Sequence, residues 1–299
     1  MNGGCFKWLA MDASLLLRSQ PVGTSGYNLA ALRRGIRPFR LYWFPRVRST
    51  NDHAAELRRR GQLFAPAVVL TGCQTAGRGR GSNTWWSSAG VLTVTFVLPL
   101  DEQRQPQQLP LLAGLAVREA AEELAGLGRD GSGFRVQGSG GRVHGSGEIQ
   151  LKWPNDILWQ GRKLAGLLCE RIHKADLVGI GLNVAIDPKT VPKPLRRTIV
   201  ALSDIASPPP SLTDTLICLA RHLSAMLQQS KSHPYAKLLR QYDRHHALIG
   251  RTLEVDCGFG QVVRGRCEGI DDLGRLLVRD GQAGSQLHHV LQGHINIVK

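Results

Sequence analysis

Gly77, Gly79 and Gly81 alternate with Arg78 and Arg80 in a stretch that lies between two apolar runs. Glycine lets the backbone come close to a ligand and bare its N–H groups. Arginine presents a fixed fork of donors that suits carboxylate and phosphate. The alternation predicts an anion cradle, with the Gly79 N–H among its donors. Neither common phosphate motif fits. A P-loop needs Gly-x4-Gly-Lys-Ser/Thr and then a helix, and the dinucleotide fingerprint also needs a helix. Here a β-branched run, residues 91–98, follows instead. Taken by itself, the loop also fits an RGG-like segment touching RNA, or a plain flexible connection.

A second patch reads Lys152-Trp153-Pro154-Asn155-Asp156, and soon after it comes Gly161-Arg162-Lys163-Leu164-Ala165-Gly166. Gln74 precedes the glycine loop, Ser49-Thr50-Asn51 lies upstream, and Gly179-Ile180-Gly181-Leu182-Asn183-Val184 lies downstream. In this order and spacing the chain resembles the biotin–protein ligases over residues 40–299. Lys-Trp-Pro-Asn-Asp is a highly specific part of the match.

The resemblance implies an α+β fold: a mixed-sheet biotin/lipoate ligase catalytic domain followed by a small SH3-like β-barrel. It implies ATP-dependent activation of biotin as biotinyl-5′-AMP, then transfer to a lysine of a biotin carboxyl carrier protein, with Mg²⁺ on the phosphates. Lys163, Arg78, Arg80 and Asp156 then become the catalytic candidates. Lys163 and the two arginines would meet the carboxylate and α-phosphate, and Asp156 would orient the acceptor amine or take its proton. Ser49, Thr50, Asn51 and Gln74 would bond biotin's ureido ring. Gly77 and Gly79 would let the loop close, and Trp85 would pack over the adenine side. Lys152, Asn155 and Asn183 would serve the nucleotide. No residue is assigned as a metal ligand.

Plainer roles exist for several of these. Ser49 to Asn51 could simply cap a helix. Lys163 could be an exposed hairpin lysine. Asp156 could pair with Lys152 or cap a turn. Two departures from the family pattern stand out. Gly81-Ser82-Asn83 replaces a more basic stretch, which predicts weaker retention of the adenylate. Gly293-His294 stands where Gly-Glu is more usual. Two rival functions are a lipoate or octanoyl transferase of the same fold and a basic nucleic-acid-binding protein.

The net charge of +15 suits an acidic partner or a nucleotide, or reflects an arginine-rich composition. At 42% hydrophobic and 20% charged residues, the chain reads as an ordinary globular protein. The six cysteines form no Cys-x-x-Cys pair and predict free thiols in a reducing compartment. His245-His246 and His288-His289 lack zinc-ligand spacing with nearby cysteines and read as structural or exposed. No apolar run is long enough to cross a membrane, so a cytoplasmic location and no membrane partner are expected. A homodimer is an open expectation.

These residues need a scaffold. Residues 1–38 read as a weakly structured extension, too irregular for a DNA-binding domain, and Met11 offers an alternative start. No DNA partner is expected. The catalytic domain is placed at 39–246, with a strand over 39–44 and a helix opened by Ser49-Thr50-Asn51-Asp52 and stopped at Gly61. A central strand over 91–98 comes next, then a core-facing helix on Leu109, Leu112, Ala113, Ala116, Ala120 and Leu124. The glycine-rich stretch 128–147 reads as a flexible insertion in a surface loop. Strands follow over 149–152 and 177–184, on either side of a hairpin turning at Gln160-Gly161. Pro208-Pro209-Pro210 breaks the chain before a second long helix on Leu216, Leu219, Leu223 and Leu227, and a helix over 234–245 follows. Short strands between turn residues predict the β-barrel over 247–299.

Overall fold

The computed structural model describes residues 26–127, 142–143, 147–172, 174–258, 260–281 and 286–298. The glycine-rich insertion lies almost wholly outside the described residues. Helix α1 (Leu29–Gly35) precedes strand β1 (Arg40–Phe44). Then come α2 (Thr50–Arg59), β2 (Ala67–Thr71), β3 (Val91–Pro99) and α3 (Gln108–Leu124). A short strand β4 (Arg142–Val143) is followed by β5 (Ile149–Lys152), β6 (Asp156–Trp159), β7 (Arg162–Ile172) and β8 (Ala175–Asn183). Strand β9 (Ala206–Ser207), α4 (Leu212–Ser232) and α5 (Tyr235–Asp243) complete the larger unit.

Seven strands form a mixed sheet in the order β1-β2-β3-β8-β7-β6-β5. The β1–β2 pair is parallel and the other pairs are antiparallel. Alternation along a strand sends successive side chains to opposite faces. On β3, Leu92, Val94, Phe96 and Leu98 enter the main core, which they share with Leu112 and Ala116 of α3 and Leu216 and Leu219 of α4. Val97 points the other way and shares a smaller cluster with Ala54 of α2 and Leu177 of β8. So α3 and α4 cover one face. On the opposite face α2 covers one end, and the rest is floored by small side chains.

Residues 1–38 do not all behave as the sequence suggests. Asn28 caps α1 by accepting from the Ala31 N–H at 3.0 Å, and Leu32 and Ile36 are fully buried. The Asn28 N–H in turn donates to Thr213 Oγ1 at 2.9 Å, which ties α1 to the start of α4. The cap was a visible signal, but a seven-residue helix rich in arginine has almost no apolar period to detect.

The C-terminal strands are β10 (Thr252–Gly258), β11 (Gln261–Ile270), β12 (Leu276–Arg279), β13 (Leu287–Val290) and β14 (His294–Ile297). They form an antiparallel sheet in the order β13-β12-β11-β10-β14. Strand β13 holds His288 and His289 and was not foreseen. The sheet's buried residues, Leu253, Val255, Leu276 and Val278 among them, are continuous with the main core. Trp153 Nε1 donates to the Gly274 carbonyl at 3.0 Å, and Gln108 Nε2 donates to that of Asp272 at 3.2 Å. Both bonds tie the C-terminal sheet to the larger unit.

Candidate active site

A cavity of about 630 Å³ opens on the face of the sheet that α2 leaves uncovered. Its floor is Thr93 of β3, Gly166 and Leu168 of β7, and Gly179 and Gly181 of β8. The glycines are there for space. A Cβ on Gly181 would lie 2.1 Å from the Trp85 ring, and one on Gly179 would lie 2.4 Å from Asn51 Oδ1. Trp85 thus lies against the sheet, and its indole N–H is buried with no acceptor among the described residues.

The glycine loop folds as a small hairpin. The Gly79 N–H donates to the Asn83 carbonyl at 2.8 Å, and the tip at Gly81 takes φ +58°. This corrects one expectation, because the Gly79 N–H is committed to the turn and not bared to an anion. Gly77 does not line the cavity. Its carbonyl accepts from the Trp85 N–H at 2.9 Å, and a Cβ there would meet Trp85 O at 2.5 Å. Its role is to let the two arms of the hairpin touch.

Arg78 and Arg80 both line the cavity, with different partners. Arg78 Nη2 lies 2.7 and 2.9 Å from the Glu170 carboxylate oxygens and 2.8 Å from Asp52 Oδ1. Burial works to lower the Arg78 guanidinium, but bonding and charge from Glu170 and Asp52 outweigh it and hold it above its ordinary value. Burial lowers Arg80, opposed by the charge of Asp156.

Lys163 and Asp156 meet across the β6–β7 hairpin. Lys163 Nζ is 2.6 Å from Asp156 Oδ1 and 5.6 Å from the Trp85 ring centroid. Asp156 therefore pairs with Lys163 and not with Lys152. The lysine is about one-third exposed, so it is neither a free hairpin side chain nor a buried one. Its backbone is fixed by the Lys163 N–H donating to Thr198 O at 2.7 Å and by Val200 N–H donating to Lys163 O at 3.0 Å. Lys152 and Asn155 line the same end of the cavity, and Asn155 Nδ2 donates to Leu167 O at 2.7 Å.

The other end is the start of α2. Ser49 is its cap and accepts from the Asp52 N–H at 3.4 Å. Gln74 Oε1 accepts from Thr50 N–H at 2.7 Å and Thr50 Oγ1 at 3.1 Å. All three side chains line the cavity, so capping and ligand contact coexist. Asn51 lines it too, but its amide is heavily engaged. Nδ2 donates to Leu168 O at 3.0 Å and Glu170 Oε2 at 2.7 Å, and Oδ1 accepts from Thr95 Oγ1 at 2.6 Å. Asn51 is buried and acts as a brace.

Asn183 is not on the cavity wall. It is buried, and Nδ2 donates to the carbonyls of Lys163 at 3.2 Å and Val200 at 3.0 Å. Sequence reasoning missed Asp52, Glu170 and Thr93, which carry no motif of their own. Period-two alternation from Gly166 would have put Leu168 and Glu170 on the same face. His294 was noticed only as a departure, yet it lines the cavity with Ile295.

Among the described residues, one group has metal-ligand chemistry: Glu123, Cys218 and His222, between α3 and α4. Arg221 already occupies it, with contacts to Glu123 and to Cys218 Sγ, the latter at 3.5 Å. His222 Nε2 is 2.9 Å from Glu123 Oε2 and Nδ1 is 3.4 Å from Glu119 Oε2. Bonding to Cys218 and then to Glu119 pushes His222 up to about 10, which favours its charged form. The group works as an interhelical ion-pair network.

Residues 43–187 match the model of the Biotin/lipoate A/B protein ligase family. The Biotin--[acetyl-CoA-carboxylase] ligase of Mycobacterium tuberculosis is 30% identical over 237 residues, which is 78% of this chain and 80% of that protein. The chain belongs to the biotin–protein ligase family. The chloroplastic Biotin--protein ligase 1 of Arabidopsis thaliana is 30% identical over 168 residues, 54% of this chain, and the match spans only 41% of that longer protein. Among solved structures, the biotin protein ligase from Aquifex aeolicus in complex with biotin and ATP aligns with a TM-score of 0.70 at 23% identity. It covers 87% of this chain and 99% of that one, and it shares the fold. No helix among the described residues is long and apolar enough to cross a membrane.

Proposed function

We propose that the protein activates biotin with ATP and transfers it to a lysine of a biotin carboxyl carrier protein. In the first step a biotin carboxylate oxygen attacks the α-phosphorus of ATP. The bond to the β-phosphate bridge breaks and pyrophosphate leaves. In the second step the acceptor's ε-amine attacks the biotinyl carbonyl carbon. A C–N bond forms, the C–O bond to phosphate breaks, AMP leaves, and the amine gives up a proton.

The observation that carries this reading is convergence. Lys163, Arg78, Arg80 and Lys152 come from three separate stretches of sequence and line one cavity. Two anions must approach each other there, and fixed positive charge in a partly desolvated site offsets their repulsion. Arg80 and Lys163 flank Asp156, so the cationic end of the cavity holds one carboxylate. That carboxylate is the candidate to orient the acceptor amine and accept its proton. Thr50, Gln74 and Ser49 at the opposite end supply polar contacts for the ureido ring. Trp85 offers an aromatic surface between the two ends.

Magnesium binds hard oxygens, keeps several waters and is held by one or two carboxylates together with substrate phosphates. Asp156 is already paired with Lys163 and serves the acceptor amine in this reading, so the ion would enter with the substrate phosphates and neutralise their charge.

The test is incorporation of labelled biotin into a carrier domain with ATP and Mg²⁺, alongside a direct biotin titration. Transfer that needs ATP is the expected result. The absence of both binding and transfer would overturn the biotin reading. The matched family model spans lipoate proteins as well, so lipoate is titrated in parallel, and preference for it would favour the lipoyl rival. A cytoplasmic homodimer remains part of the proposal, read by fractionation and light scattering.

A further inference from the structure

Two carboxylates meet Arg78 at one atom, Nη2: Glu170 takes it with both oxygens, at 2.7 and 2.9 Å, and Asp52 Oδ1 lies 2.8 Å from it. Two acids thus surround one guanidinium at the edge of a cavity suited to an anion. The same Glu170 accepts from the buried Asn51 amide at 2.7 Å. It therefore joins the start of α2, strand β7 and the glycine loop at one point.

We propose that Glu170 is a positioning residue that holds Arg78 and yields it to the substrate's carboxylate, and so sets how far the site favours an acid over a neutral ligand. This rests on the biotin-activating reading and adds to it a residue that no motif marked. An incoming carboxylate can replace Glu170 on Arg78 like for like, since both are charged acceptors for the same fork. Glu170 is not left buried and unpaired by the exchange. It keeps Asn51 as a donor, and its side chain is 30% exposed, so water reaches it. A neutral ligand has no acid to offer and leaves the Arg78–Glu170 pair intact. Glu170 therefore competes with acids alone.

The test compares affinity for biotin with affinity for biotin methyl ester, by titration of the full chain. In Glu170→Gln the ratio should move toward the acid by about tenfold, the scale of one charge-assisted contact. Asp52→Asn, a change at a more exposed site, should move it the same way by less. In an Arg78→Ala background, Glu170→Gln should leave the ratio unchanged, because the competition is for Arg78. An equal change for acid and ester in both Glu170→Gln and Asp52→Asn would make Glu170 merely structural and overturn the proposal. A ratio that shifts equally with and without Arg78 would overturn it too, since the effect would then be general electrostatics. Wild-type protein that binds neither ligand would instead sink the biotin reading itself.

Discussion

Asn183 Nδ2 donates to the backbone carbonyl of Lys163 at 3.2 Å, so the strongest catalytic candidate is held through its main chain by a side chain outside the cavity. Asn183 also donates to Val200 O at 3.0 Å. Each such bond contributes about 1 kcal/mol, and burial raises the cost of losing one partner. Asn183→Ala should lower unfolding stability by about 2 kcal/mol in urea titrations. It should also slow biotin-dependent ATP–pyrophosphate exchange while leaving biotin affinity nearly unchanged. Unchanged exchange would show that Lys163 does not need this tether.

Lys163→Ala should abolish adenylate formation and leave the fold intact. Removing a fixed positive group from charge developing in a transition state costs about 10²–10³ in rate. Circular dichroism checks the fold and pyrophosphate release checks the chemistry. Normal release would exclude Lys163 from its role.

Trp85 lies on Gly181 with Lys163 above it. Ligand entry should change its surroundings. Biotin with ATP should alter the intrinsic fluorescence of the wild type, and Trp85→Phe should lose most of that change. Trp85→Ala should weaken ligand binding more than Trp85→Phe, because the aromatic surface and the cation contact go together.

Asp176 is buried between two arginines, with Arg104 Nη2 at 2.9 Å and Arg171 Nε at 2.7 Å. It pins the loop after β3 to the β7–β8 hairpin. Removing one member of a buried ion cluster leaves uncompensated charge and costs about 3–5 kcal/mol. Asp176→Asn should reach that range in chemical denaturation, with little change in ligand affinity for the folded fraction.

His222 faces Cys218, Glu119, Glu123 and, through Glu123, Arg221. Its folded value of about 10 lies above the ordinary histidine value of 6.5. The charged form is therefore favoured by folding, and its contribution is fully present below pH about 6.5 and lost as pH rises through about 10. The thermal stability gap between wild type and His222→Gln should be widest near pH 6 and close toward pH 10. A gap that widened with pH would reverse the sign.

Much of the site was legible because its chemistry is concentrated in short motifs. Arg78, Arg80, Lys152, Asp156 and Lys163 all line the cavity as the patterns suggested. What was not legible depends on register and partner choice. The Gly79 N–H was spent on a turn whose other arm is Asn83. Glu170 looks like an ordinary strand residue until β7 is paired with β8 and its face is known. Strand β13 was hidden because Leu287 to Val290 holds two histidines between two apolar residues. The long helices and the central strand were readable from periodicity, while α1 was too short to show one.

Trp153 sits within the most distinctive motif of the chain, yet its indole N–H points away from the chemistry, to a carbonyl of the C-terminal sheet. The motif is therefore also a joint. Lys152 and Asp156 belong to the cavity, and Trp153 between them ties the C-terminal sheet to it. A C-terminal sheet exchanged from a relative would have to bring a carbonyl where Gly274 has one. Cutting the sheet away would strand a buried donor inside the motif itself.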